Sequence, residues 1–162
     1  MSRTPNERAA AKAAWLAIPA IAAAGMAIAF ATERIYAWLG FEWHVQGAVS
    51  LLKCNSDDVP AWTQYYLMVR IAAIAPVVEE IVFRWALFGK LLRGRMHMPF
   101  LQAAAISATF FAAIHIYMPG VPTLLFLGFA FSWLYSRTGR IASAILCHSL
   151  FNIANMVLLL AS

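Results

Sequence analysis

Charge is what this sequence has least of. Asp, Glu, Lys and Arg make up 12% of its 162 residues, against 63% hydrophobic ones. Soluble domains carry about 25% charged and about 45–50% apolar residues. The shortage excludes an ordinary water-soluble globule, and the apolar excess excludes a disordered chain. Cysteine is nearly missing as well. Cys54 lies in a polar stretch and Cys147 in an apolar run, which argues against a disulfide and leaves no C-x-x-C metal or redox pair. No internal repeat, low-complexity tail or Gly/Ser linker divides the chain. Its length suits one domain. The solvent that remains is a bilayer, in line with a mean hydropathy of +0.73.

The 12 basic residues outnumber the 7 acidic ones. They fall in short groups between apolar runs, so they read as topology signals and not as a nucleic-acid footprint. A spanning helix needs about 20 mostly apolar residues. Five stretches qualify: 13–31, one within 65–92, 100–118, 121–135 and 141–160. Residues 36–52 mix Tyr36, Trp38, Phe41 and Trp43 with Glu42, His44 and Gln46, the pattern of a segment lying along the membrane surface. Asp57, Asp58 and Pro60 mark a loop before the second span. Arg3, Arg8 and Lys12 precede the first span, Lys90, Arg93 and Arg95 follow the second, and Arg137 and Arg140 follow the fourth. The opposite loops hold Arg34 and Lys53 beside Glu33, Glu42, Asp57 and Asp58. The expected fold is an all-α polytopic membrane bundle of about five transmembrane helices, N-terminus in and C-terminus out. The basic start, the apolar run and Ala29-Phe30-Ala31 also fit a cleaved signal peptide, whose loss would leave the rest of the topology unchanged.

Ionisable groups inside a span cost about 2.5–3.5 kcal/mol each on the insertion scale, so they persist where they pair or work. The second span carries Glu79, Glu80 and Arg84, the third His115, and the fifth His148 and Asn152. A rise of about 1.5 Å per residue puts Glu79 roughly 18 Å, His115 roughly 22 Å, His148 roughly 12 Å and Asn152 roughly 18 Å from the cytoplasmic end. All four fall around the middle of a hydrocarbon layer about 30 Å thick. Three separate helices therefore converge on one buried site. Glu80 and Arg84 share a helical face and can pair, while Glu79 is turned about 100° away. His148 with Asn152, and Phe111 with His115, repeat the four-residue spacing. Pro76 kinks its helix and frees backbone carbonyls near the carboxylates.

Burial and a neighbouring like charge move a carboxylate towards general-base work at neutral pH. With Glu80 held by Arg84, Glu79 is the freer proton acceptor, and His115 can share a water with it. His148 and Asn152 offer donors for an oxyanion. A base, a water and an oxyanion hole suffice to hydrolyse an amide without a serine or cysteine nucleophile. Each residue also has a structural reading. Glu80–Arg84 can lock helices together, each histidine can bond a backbone carbonyl, and Asn152 or Asn155 can join helices. Phe111 reads as a packing wall, Arg70 as a side chain snorkelling to a headgroup, and Cys147 as core. Glu79 with two histidines could hold zinc, although the H-E-x-x-H signature is missing.

Glu79-Glu80-Ile81-Val82-Phe83-Arg84 resembles the E-E-x-x-x-R motif of the CAAX protease and bacteriocin-processing family of glutamic intramembrane proteases. Phe111 through His115 resembles its F-x-x-x-H motif, and His148 through Asn152 its H-x-x-x-N motif. The stretch from Leu127-Gly128-Phe129 to Thr138-Gly139 is similar to the segment before the last motif. The likeness covers about residues 60–157. It implies that residues 60–162 form a catalytic helical core, with residues 1–59 as an N-terminal membrane helix and extracytoplasmic interfacial segment. It also implies that Glu79 activates the water, His115 assists, and His148 and Asn152 form the oxyanion hole. Glu80, Arg84 and Phe111 would support them, without metal or other cofactor. The implied partners are a membrane-associated protein or peptide substrate and the lipid bilayer, with no nucleic acid, in a bacterial inner membrane. Prenylated tails, C-terminal sorting tails and bacteriocin leaders are all open as substrates. Many members have more spans ahead of the first motif than the one present here. A non-catalytic membrane scaffold or bacteriocin-immunity factor using the same cleft is the alternative.

Overall fold

The computed structural model describes residues 4–41 and 60–161. Among these, every regular element is helical. Helix α1 (Pro5–Leu16) opens on a capping box: Thr4 accepts from the Glu7 backbone, and the Glu7 side chain accepts from that of Thr4. This closes two of the helix's orphan N–H groups. The helical ladder is interrupted at Ala17, because Pro19 lacks the N–H that would continue it. Helix α2 (Ile18–Trp38) follows. The expected first span, 13–31, is thus displaced towards the C-terminus. Tyr36 and Trp38, read as the start of an interfacial segment, belong to α2; residues 42–52, His44, Cys54, Asp57 and Asp58 lie outside the described residues.

Helix α3 is a single rod over residues 61–95. Ordinary α-turns at Ala61–Val69 and Ala75–Glu80 alternate with wide π-turns at Arg70–Ile74 and Ile81–Arg95. The residues at each junction keep right-handed helical dihedrals, so the rod does not break. Helix α4 (Phe100–Ala113) stops short of the expected end at 118. A single short turn at Met118–Gly120 leads into α5 (Val121–Thr138), and α6 (Ile141–Ala161) ends the described chain. Gly139, at φ +64°, makes the left-handed turn between the last two.

Among the described residues, three helices are long and apolar enough to cross a membrane: Ile18–Trp38, Met118–Thr138 and Ile141–Ala161; Phe100–Ile114 is a shorter apolar helix. Large apolar side chains such as Phe30, Trp38, Leu101, Phe110, Leu146 and Leu158 face outward, as a bundle solvated by lipid requires. The chain is an integral membrane protein.

Helix α5 is the centre, packing against α1, α2, α3, α4 and α6. Lipid tails are as apolar as a helix surface, so association in a bilayer depends on close packing of small residues. Helix α4 buries Ala103, Ala104, Ser107 and Ala108 in one stripe. Gly128 of α5 meets it so closely that an added Cβ would lie 2.9 Å from the Cα of Ala108. Gly25 similarly lets α2 approach Leu127 and Phe151. Leu127, Phe131 and Leu134 complete the core.

Candidate active site

One ion cluster is sealed inside the bundle. Glu80 and Arg84 lie one turn apart on α3, both wholly buried, with Nε 3.1 Å from Oε2. The other Glu80 oxygen accepts a hydrogen bond of 2.9 Å from His148 Nδ1–H on α6. A single carboxylate therefore ties together two helices and two donors. Two buried guanidinium nitrogens, Nη1 and Nη2, have no hydrogen-bond partner among the described residues. The guanidinium instead lies 4.3 Å from the ring centre of Phe111 and 5.1 Å from that of Phe131, a contact that favours a desolvated cation.

Next to this cluster lies a wetter one. Glu79 is 24% exposed and points away from Glu80 into a cavity of about 640 Å³. Its Oε2 stands 3.8 Å from His115 Nε2 and 3.8 Å from His148 Nε2. Those separations exceed a direct hydrogen bond and are short enough for one water molecule to bridge. His115 Nδ1–H donates to the Phe111 carbonyl at 2.7 Å. That bond fixes the tautomer and directs Nε2 at the carboxylate.

Helix α4 ends before His115, which lies in the turn after it. Its backbone N–H reaches the Ala112 carbonyl, the shorter pattern of a closing turn. Ile116 follows at φ +46°, a conformation that costs a β-branched residue about 1–3 kcal/mol. The four-residue spacing from Phe111 to His115 thus survives, but on a strained turn and not on a spanning helix.

Asn152 has a definite partner. Its side-chain N–H donates to the Ile71 carbonyl at 2.9 Å. In an α-helix that carbonyl would accept from Ala75, but the wide turn sends the Ala75 N–H to Arg70 instead. The next donor along would be Pro76, which has none. Asn152 therefore satisfies a carbonyl that its own helix has orphaned. One of its two amide protons is engaged there, and the residue also lines the cavity.

All seven residues singled out from the sequence meet here: Glu79, Glu80, Arg84, Phe111, His115, His148 and Asn152. Phe131 was missed. It stacks on His148 with centroids 5.0 Å apart, while Phe111 meets both histidines edge-on. The small residues at Gly128 and Ser132 around it mark a helix interface, the signal that could have found it. Arg70, read as a headgroup contact, lines the same cavity. Cys147 is buried core, with its thiol 3.7 Å from the Ile18 carbonyl.

Residues 61–154 match the family described as Type II CAAX prenyl endopeptidase Rce1-like. The chain belongs to the CAAX protease and bacteriocin-processing family. This is a family of membrane proteases, and the matched segment contains every residue of the two clusters. Among curated proteins, 87 residues are 34% identical to "Putative membrane peptidase YdiL" of Bacillus subtilis (strain 168), covering 53% of this chain and 34% of that protein. An alignment of 85 residues is 34% identical to "Membrane-embedded CAAX protease MroQ" of Staphylococcus aureus (strain USA300), covering 51% of this chain and 34% of the relative. The chain thus spans about a third of the length of the curated relatives it matches. No solved structure gives a significant match.

Proposed function

We propose that the chain is a glutamic-type intramembrane endopeptidase of the bacterial cytoplasmic membrane, cutting a protein or peptide near a membrane-associated terminus. The observation that carries this reading is the equal approach of Glu79 Oε2 to both imidazoles, 3.8 Å each, at the edge of a cavity deep in an apolar bundle. A water held there loses its proton to Glu79 as its oxygen attacks the scissile carbonyl. The same carboxylic acid then returns that proton to the departing amine. His115, fixed through Nδ1, orients the water.

The oxyanion falls to α6. Asn152 offers its second amide proton. His148 can donate through Nε2 only as imidazolium, because Nδ1–H is committed to Glu80. The Glu80 carboxylate, itself paired with Arg84, lies against that imidazole. Donors held in place by a dry interior stabilise developing charge without reorganising.

The test uses the 162-residue chain in phosphatidylcholine nanodiscs with a library of lipid-anchored peptides, read by mass spectrometry. Glu79→Gln, His115→Ala and His148→Ala are each expected to lower cleavage at least about 100-fold while the protein still inserts, and chelation is expected to change nothing. Cleavage retained by Glu79→Gln removes the proposed base. A cellular phenotype kept by all three variants favours a binding role over catalysis.

A further inference from the structure

Buried hydroxyls in this bundle follow one habit. Thr32 donates to the Ile28 carbonyl at 2.7 Å, Ser132 to Gly128 at 2.9 Å and Thr138 to Leu134 at 2.8 Å, each within its own helix. Ser107 donates across to the Phe83 carbonyl, and Ser143 to that of Arg140. Thr123 departs from the habit. It is 3% exposed, yet its Oγ1 has no hydrogen-bond partner among the described residues. The reason is its place in α5. Thr123 is the third residue of that helix, so the carbonyl four back belongs to Pro119, in the short turn before the helix begins. A buried hydroxyl left unpaired costs stability, and Thr123 lines the same cavity as Glu79, His115 and His148.

Its depth follows from two contacts. Helices α3, α4 and α5 alternate in direction. Ser107 meets the Phe83 carbonyl, and Ala108 meets Gly128. Counting from these, Glu79 is level with Phe111, and Phe111 with Leu125. Thr123 is two residues beyond that level, about 3 Å along the helix axis. An extended peptide advances about 3.3 Å per residue. The interval between the base and the hydroxyl therefore equals one peptide unit.

A peptide drawn into a bundle gives up the water on its carbonyls, and each must be paired again inside. His148 and Asn152 serve one oxygen, that of the bond under attack. The neighbouring carbonyl needs another donor. A substrate N–H reaching Thr123 would still leave the hydroxyl proton unpaired, whereas a carbonyl pairs it.

We infer that the Thr123 hydroxyl donates a hydrogen bond to the substrate carbonyl next to the cleaved bond, holding the main chain in register with Glu79. This rests on the peptidase reading.

The test takes the best-cleaved peptide of the lipid-anchored library and two analogues of it. Each analogue carries a thioamide, a weaker acceptor than an amide, in the peptide unit just before or just after the cleaved bond. Cleavage in phosphatidylcholine nanodiscs is measured as kcat/KM for the unmutated chain, Thr123→Val and Thr123→Ser. Thr123→Val is expected to lower kcat/KM about tenfold without lowering the melting temperature, because it removes an unpaired hydroxyl and keeps the side chain's shape. Thr123→Ser is expected to retain most of the activity. One thioamide should slow the unmutated chain about tenfold and Thr123→Val far less, because the bond it weakens is already gone. Unaltered cleavage by Thr123→Val overturns the inference. So does a melting temperature that falls along with cleavage, which marks a structural role. So do thioamides that slow both proteins equally. In each of these cases the peptidase reading stands. No cleavage of any library peptide by the unmutated chain sinks that reading, and the inference with it.

Discussion

Arg84 has no exposed atom, and the carboxylate beside it is equally buried. Removing one member of a buried pair leaves the other charge uncompensated, at a cost of about 3–5 kcal/mol. Arg84→Leu is therefore expected to lower the thermal unfolding temperature in detergent markedly, by circular dichroism. The double variant Glu80→Gln/Arg84→Leu should recover part of the loss, since no lone charge remains. Unchanged melting in the single variant would show that the pair does not hold the bundle. The pairing itself was legible, because a four-residue spacing brings two side chains onto one face. The third member was not. His148 is 68 residues away, and only packing of α6 against α3 delivers its imidazole to Glu80. For the same reason the spacing of His148 and Asn152 showed a common face but not the Ile71 carbonyl that Asn152 bonds.

Between elements, the closest contact is Gly128 on Ala108. Gly128→Ala forces a methyl against backbone, which cannot move as a flexible side chain can. We expect a loss of about 1–3 kcal/mol, measured as a lower melting temperature, together with reduced cleavage. An unperturbed melt would mean that the two helices have slack. Apolar runs located most helices, since hydropathy is a property of composition. They did not show where hydrogen-bond ladders fail. The run across Ala17 reads as continuous, yet Pro19 breaks it. The run to 118 also reads as continuous, yet α4 stops at Ala113. The wide turns of α3 left no mark in the sequence beyond Pro76, because the side chain that satisfies the carbonyl orphaned in the first of them, that of Asn152, comes from another helix.

For the molecule as a whole, the segregation of Lys and Arg predicts an N-terminus in the cytoplasm and a C-terminus on the opposite side. Alkaline phosphatase fused after Ser162 is expected to be active and a fluorescent protein fused there dark; the reverse would discard the orientation and the five-span count with it. The family match starts at residue 61, yet the cavity does not respect that limit. Ala29, Glu33, Tyr36 and Ala37, all on α2, form one of its walls. Part of the cavity is thereby built by residues that precede the matched segment. Four cavity-facing positions of one helix can therefore drift while the segment opposite keeps its family likeness, so kinship across residues 61–154 does not extend to the wall that α2 builds.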